Sequence, residues 1–127
     1  MFKYKVEVKN SKNPKMGLGL FANEIIKSDT IVWEFIEGLD IRIDQDTLNK
    51  LNDTQREFFK KYGWKEDDGN YYSSCDLTNF INHSFTPNLI CVGEIIKTNK
   101  DIEIGEELFI NYEEFDVEFD TYKNELI

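Results

Sequence analysis

Short runs of β-forming residues, broken every few positions by turn signals, dominate this chain and limit what it can build. Residues 3–9 read Lys-Tyr-Lys-Val-Glu-Val-Lys, the alternation of a half-buried strand. A polar turn over residues 10–15 follows, then short β-prone runs at 17–22 and 30–36 with Lys27-Ser28-Asp29 between them. Residues 38–43 suit another short strand. Only residues 44–62 carry a long helical pattern. Leu48, Leu51, Gln55, Phe58, Phe59 and Tyr62 share one face there, and Asp44 or Asp46 is placed to cap its start. Glu66-Asp67-Asp68-Gly69 reads as a turn between Tyr62-Gly63-Trp64 and Asn70-Tyr71-Tyr72. Strands are expected at 89–97 and 107–112, around a polar turn at Gly105. A short acidic helix is expected from 113 to 126, with Phe115, Phe119 and Tyr122 on it. Strands and helices do not alternate, so a doubly wound parallel sheet is disfavoured. The pattern is mainly β with short helices.

The length, 127 residues, suits one domain. Ten Phe, six Tyr and two Trp supply apolar material for one core. No apolar run nears the roughly 20 residues that span a bilayer, and the start lacks the apolar stretch of a secretory signal. An intracellular protein, cytoplasmic or nuclear, is the expectation, with no membrane partner. Two cysteines and one histidine are too few for a disulfide scaffold or a cysteine-rich zinc site. No metal is expected, and Cys75 and Cys91 are expected to be buried thiols.

The net charge is −10 and unevenly spread. Six lysines fall in the first 27 residues, whereas the chain from Glu103 onward has nine acidic residues and one lysine. Such a surface repels nucleic acid and attracts a basic protein or peptide. Solubility alone is the bland alternative. Nothing in the sequence sets an oligomeric state.

Gly17-Leu18-Gly19-Leu20-Phe21-Ala22 fits the dinucleotide pattern G-x-G-x-x-A. That pattern needs a helix after it, and here a β-branched run follows, so the dinucleotide reading fails. Two readings stay open: a tight turn that uses positive φ, or a loop whose bare backbone approaches a cofactor.

Residues 79–88, Asn-Phe-Ile-Asn-His-Ser-Phe-Thr-Pro-Asn, make poor helix and poor strand. Their Asn and Ser side chains tie down nearby backbone, giving a rigid polar segment suited to a small-molecule site. This stretch resembles the signature of SET-domain protein lysine methyltransferases, whose core is Asn-His-Ser-x-x-Pro-Asn. Residues 101–112, Asp-Ile-Glu-Ile-Gly-Glu-Glu-Leu-Phe-Ile-Asn-Tyr, are similar to that family's closing signature. Gly17-x-Gly19 falls where its N-terminal cofactor loop lies. The three matches come in family order over residues 17–112.

The resemblance implies a SET-domain (β-clip) fold with a C-terminal pseudoknot. One SET domain would fill residues 1–127, its core motifs at 17–112 and a helical segment at 113–127 covering the site. It implies S-adenosylmethionine as cofactor. Met16, Gly17, Leu18 and Gly19 would meet the cofactor's amino-acid end and Asn82 its amino group. The His83 backbone would read the adenine edge, with Asn79 and Phe80 beside it. Tyr112 would place its hydroxyl by the transferring methyl, as catalytic residue and cofactor contact. Ile36, Ile110 and Phe115 would line the lysine channel. The chain departs from the family at Ile36, where many members have the Tyr of Tyr-x-Gly, at Asn79, commonly Arg, and at Phe85, usually Cys. Phe115, Phe119 and Tyr122 either cover the site or pack as plain core.

The function implied is an S-adenosylmethionine-dependent methyltransferase acting on a lysine of a basic protein. Histone-like and ribosomal proteins both fit as substrates. The alternative is a SET-like cofactor- or peptide-binding module without turnover, for which Ile36 is the motive.

Overall fold

The computed structural model describes residues 1–126. The N-terminal strand β1 (Val6–Asn10) pairs antiparallel with β2 (Leu18–Ala22), and a 3-10 turn at Pro14–Met16 lies in the loop between them. Next come β3 (Ile31–Glu34), β4 (Ile41–Ile43), α1 (Gln45–Asn49) and α2 (Asp53–Tyr62). The hairpin β5 (Gly63–Lys65) and β6 (Tyr71–Ser73) leads through a 3-10 turn at Leu77–Phe80 into β7 (Asn82–His83). A second hairpin, β8 (Leu89–Val92) and β9 (Ile95–Thr98), precedes β10 (Phe109–Ile110). The chain then makes a 3-10 turn at Tyr112–Glu114 and a final helix α3 (Phe119–Leu126). The strands form small sheets, β1-β2, β3-β9-β8, β4-β6-β5 and the parallel pair β7-β10, so the fold is mainly β with short helices, as expected.

Four expected elements differ. The helix over 113–126 shortens to α3, because the 3-10 turn capped by Asn111 takes up the start of that stretch and leaves Phe115 ahead of the helix. The helix over 44–62 is two helices. Asp44 caps α1 by accepting from the Thr47 N–H. Asn52 starts α2 with a capping box: it accepts from the Gln55 N–H, and the Gln55 side chain accepts from the Asn52 N–H. The continuous periodicity hides this break, because a cap is a local hydrogen-bond choice and not a hydrophobic one. The strand over 89–97 is a hairpin that turns at Gly93 (φ +61°) and Glu94. The strand over 107–112 narrows to Phe109–Ile110. Glu107 only bridges Phe21, and Tyr112 already belongs to the next turn. The cysteines also depart from expectation. Cys75 is exposed in the turn after β6, and Cys91 is half-buried on the edge strand β8.

Leu20, Val32, Leu89, Ile102 and Leu108 are completely buried, and they join β2, β3, β8 and the segments before β10 in one core. Each such side chain stabilises the fold by about 1.5–3 kcal/mol relative to exposure. The core fixes β2, β7 and β10 against each other. The glycine loop before β2, the segment around β7 and the exit of β10 therefore converge. Among the described residues no helix is long and apolar enough to cross a membrane.

Candidate active site

The site forms where β7 and β10 run side by side, with Asn82 beside Phe109 and His83 beside Ile110. The Ser84 N–H extends the pairing by donating to the Ile110 carbonyl at 3.1 Å. Beyond β10, Asn111 caps a 3-10 turn by accepting from the Glu113 N–H. That turn folds Tyr112 back onto the segment it has just passed. Its N–H donates to Nδ1 of His83 at 3.1 Å, and its hydroxyl donates to the Ile81 carbonyl at 2.6 Å. Burial, helped by the negative charge of Asp116, raises the Tyr112 hydroxyl far above its ordinary range. Tyr112 is therefore a neutral hydroxyl with an oxygen lone pair to offer, not a phenolate.

A second network ties the glycine loop to this pair. The Asn82 Nδ2 donates to the Leu18 carbonyl at 2.9 Å and to Oε2 of Glu107 at 3.3 Å. Glu107, only 4% exposed, also accepts from the Ser11 hydroxyl at 2.7 Å and the Lys12 N–H at 2.8 Å. Gly19 passes so close that an added Cβ would collide with Oε2 of Glu107 and lie 3.2 Å from Nδ2 of Asn82. Gly17 has φ +70° and nothing within 4 Å of where a Cβ would stand. Gly17 makes the positive-φ turn of the first reading, and Gly19 allows a close approach to the chain's own Glu107 and Asn82.

His83 is buried among the rings of Phe85 at 4.4 Å, Phe119 at 4.8 Å and Tyr112 at 5.3 Å. Burial lowers its pKa, against an opposing pull from Glu113, so the ring stays neutral. Since Nδ1 accepts from Tyr112, the proton sits on Nε2. That nitrogen is buried with no hydrogen-bond partner among the described residues.

Two clefts meet at Ser84. One, about 350 Å³, lies between Asn13, Lys15 and Met16 of the β1–β2 loop, His83, Phe85, and Leu126 of α3. The other, about 280 Å³, is polar and includes Lys12, Lys100, Thr86 and Glu106. The structure therefore brings Met16, Gly17, Leu18, Gly19, Asn82, His83 and Tyr112 into one region. Other expected residues stand differently. Both amide atoms of Asn79 are engaged by the backbone of Ser74. Phe80 packs on Tyr62 and the core. Ile110 is 2% exposed and its side chain belongs to the core. Phe115 lies between the rings of Tyr112 and Trp64. Ile36 is exposed on the loop after β3, its N–H bonded to Asp40.

Sequence reasoning gave no role to Glu107 or Asn88, nor to the side chain of Leu126. Asn88 is buried, donating to the Glu107 carbonyl and accepting from the Phe109 N–H. The available signal was a carboxylate directly before Leu108-Phe109-Ile110, which must be paired if that run is buried.

The SET-domain family model matches residues 17–113. The chain belongs to the SET-domain family. The match supports the lysine methyltransferase family that the motifs resemble. No match is found among curated proteins. Solved structures share the fold. An apo ctPRC2 with two substitutions in Ezh2 aligns at TM-score 0.71 and 24% identity, over 93% of this chain and 16% of the matched chain. The ctPRC2 complex, from Chaetomium thermophilum, also matches in an autoinhibited conformation bound to S-adenosylmethionine. There the TM-score is 0.65 and the identity 24%, over 95% of this chain and 17% of that one. An active polycomb repressive complex 2 in the basal state matches at TM-score 0.63 and 28% identity, over 86% and 15%. The chain thus spans about one sixth of the length of the chains it matches.

Proposed function

We propose that this SET domain binds S-adenosylmethionine and transfers its methyl group to a lysine side chain of a basic protein. One observation carries the reading: the parallel pairing of β7 and β10 puts Asn82, His83 and Tyr112 together beside the glycine loop. The donor set suits the cofactor. With Nδ2 of Asn82 donating to Leu18 and Glu107, its Oδ1 is left as an acceptor for an ammonium group. The side of Gly17 is open, so backbone meets a ligand there with no side chain between. The cleft between Met16, His83, Phe85 and Leu126 is of the size and apolar character that an aromatic base requires. In this reading α3 covers the cofactor.

When bound, the cofactor supplies an electrophilic methyl on a sulfonium. The chain's own residues position the groups and shape the field. Asn82 holds the ammonium end. Tyr112 donates its hydroxyl hydrogen bond to the Ile81 carbonyl, which leaves an oxygen lone pair for the positive charge at the reacting centre. Its raised pKa keeps it neutral, so it orients rather than deprotonates. The acceptor lysine has to arrive as a free amine, since an ordinary lysine is protonated at neutral pH. The resemblance assigns Ile36, Ile110 and Phe115 to the lysine channel. Of these, Phe115 supports the role best through its contact with Tyr112. The acidic surface draws a basic substrate, such as a histone-like or ribosomal protein.

Incubation with labelled S-adenosylmethionine and a panel of basic proteins, followed by mass spectrometry, tests the reading. Label should appear on lysine and fall by about 100-fold or more with Tyr112→Phe. Cofactor binding without transfer to any protein would favour the alternative of a module without turnover, which the hydroxyl missing at Ile36 motivates.

A further inference from the structure

His83 is the chain's only histidine, and its ring stands between the cofactor cleft and Tyr112. We infer that His83 is a positioning residue: its Nδ1 holds the backbone N–H of Tyr112 and thereby sets where the Tyr112 hydroxyl stands. This rests on the methyl-transfer reading above. The backbone needs such an acceptor at this point. The β7–β10 ladder ends at the His83–Ile110 pair, and Tyr112 lies two residues beyond it. The imidazole supplies the acceptor from the partner strand instead, at 3.1 Å.

Phe85, Phe119 and Tyr112 pack against the ring. It is 5% exposed, so water has little access to the bond. Ile81 takes the Tyr112 hydroxyl while His83 takes its amide, so residues 81 and 83 hold Tyr112 at both ends. Asn82 lies between them, so the same three residues locate the cofactor contact and the tyrosine.

The other ring nitrogen argues against mere packing. Accepting at Nδ1 puts the proton on Nε2, which is buried without a partner among the described residues. An unmet buried donor destabilises the fold, and an apolar side chain of similar size would fill the space without it. The imidazole is in place for its acceptor.

Spectroscopy and variants test this. With a single histidine, a long-range proton–nitrogen spectrum of the full chain contains one pair of ring-nitrogen signals. The expected state is neutral, protonated on Nε2, with Nδ1 accepting. His83→Asn places an amide oxygen near the Nδ1 position, whereas His83→Gln places it near Nε2 and His83→Leu removes it. At equal folded fraction, Gln and Leu should lower kcat about tenfold or more and Asn should recover to within about threefold of wild type, with cofactor KM changing less than kcat. A proton on Nδ1, or Asn performing no better than Gln, would overturn the inference. A wild-type chain that transfers no methyl refutes the methyl-transfer reading instead. The spectrum then still decides whether Nδ1 holds Tyr112, even where the variants fail to fold.

Discussion

Gly19 and His83 show how single atoms decide this site. Gly19 has no room for a side chain, because Glu107 is pinned by Ser11, Lys12 and Asn82 and cannot retreat. Gly19→Ala should therefore lower stability by about 1–3 kcal/mol, seen as a lower denaturant midpoint. Gly17→Ala meets open space and should act through its positive φ alone. His83 makes stability depend on pH. Its folded pKa lies below the ordinary value of 6.5, because burial disfavours the charged ring. The folded state thus binds fewer protons than the unfolded chain near that pH. Its stabilising share is present above about 6.5 and is lost as pH falls below it. Urea midpoints measured from pH 7.5 down to 5.5 should decline, and His83→Asn should flatten that decline. The carboxylates of Asp40 and Asp76 have lowered pKa values because backbone and side-chain hydrogen bonds outweigh their burial. They add a separate loss at more acidic pH.

Among the elements, the helices were misjudged most and the glycine loop least. Hydrophobic spacing over 44–62 merged two helices, because Leu48 and the Phe58-Phe59-Tyr62 group keep one period across the break. The break is set by Asn52. Asn52→Ala should cost about 1 kcal/mol and lower Tm by a few degrees, measurable by circular dichroism. The 89–97 hairpin was missed because a lone Gly93 inside a β-branched run is a weak turn signal. The turn at residues 66–69 was legible because Asp68-Gly69 closes it, with Gly69 at φ +82°. α3 contributes Phe119 to the surroundings of His83 and Leu126 to the cleft. The sequence left cover and core packing equally open for Phe119, and its ring is buried against His83.

For the whole molecule, charge and sequence order matter most. The net charge of −10 should draw a basic substrate over a distance, and salt screens such attraction. If the proposed activity holds, kcat/KM for a basic protein should fall severalfold between low salt and about 0.3 M, with kcat changing little. Equal kcat/KM at both salts would remove charge from the recognition.

The local rules of turns and alternation made the mainly β architecture readable from the sequence. The ordered motifs at residues 17–19, 79–88 and 101–112 made the family readable as well, because a backbone turn or a rigid Asn-rich segment needs particular residues at particular spacings. Tertiary structure alone decided which of those residues meet. The contacts Tyr112 to His83, Asn82 to Glu107 and Gly19 to Glu107 join positions from 25 to 88 residues apart. Such contacts depend on how the core seats β2 against β7 and β10, which no local pattern encodes. The same packing turned Asn79 toward Ser74 and buried Ile110, because a side chain's partners are set by what surrounds it once the chain has closed.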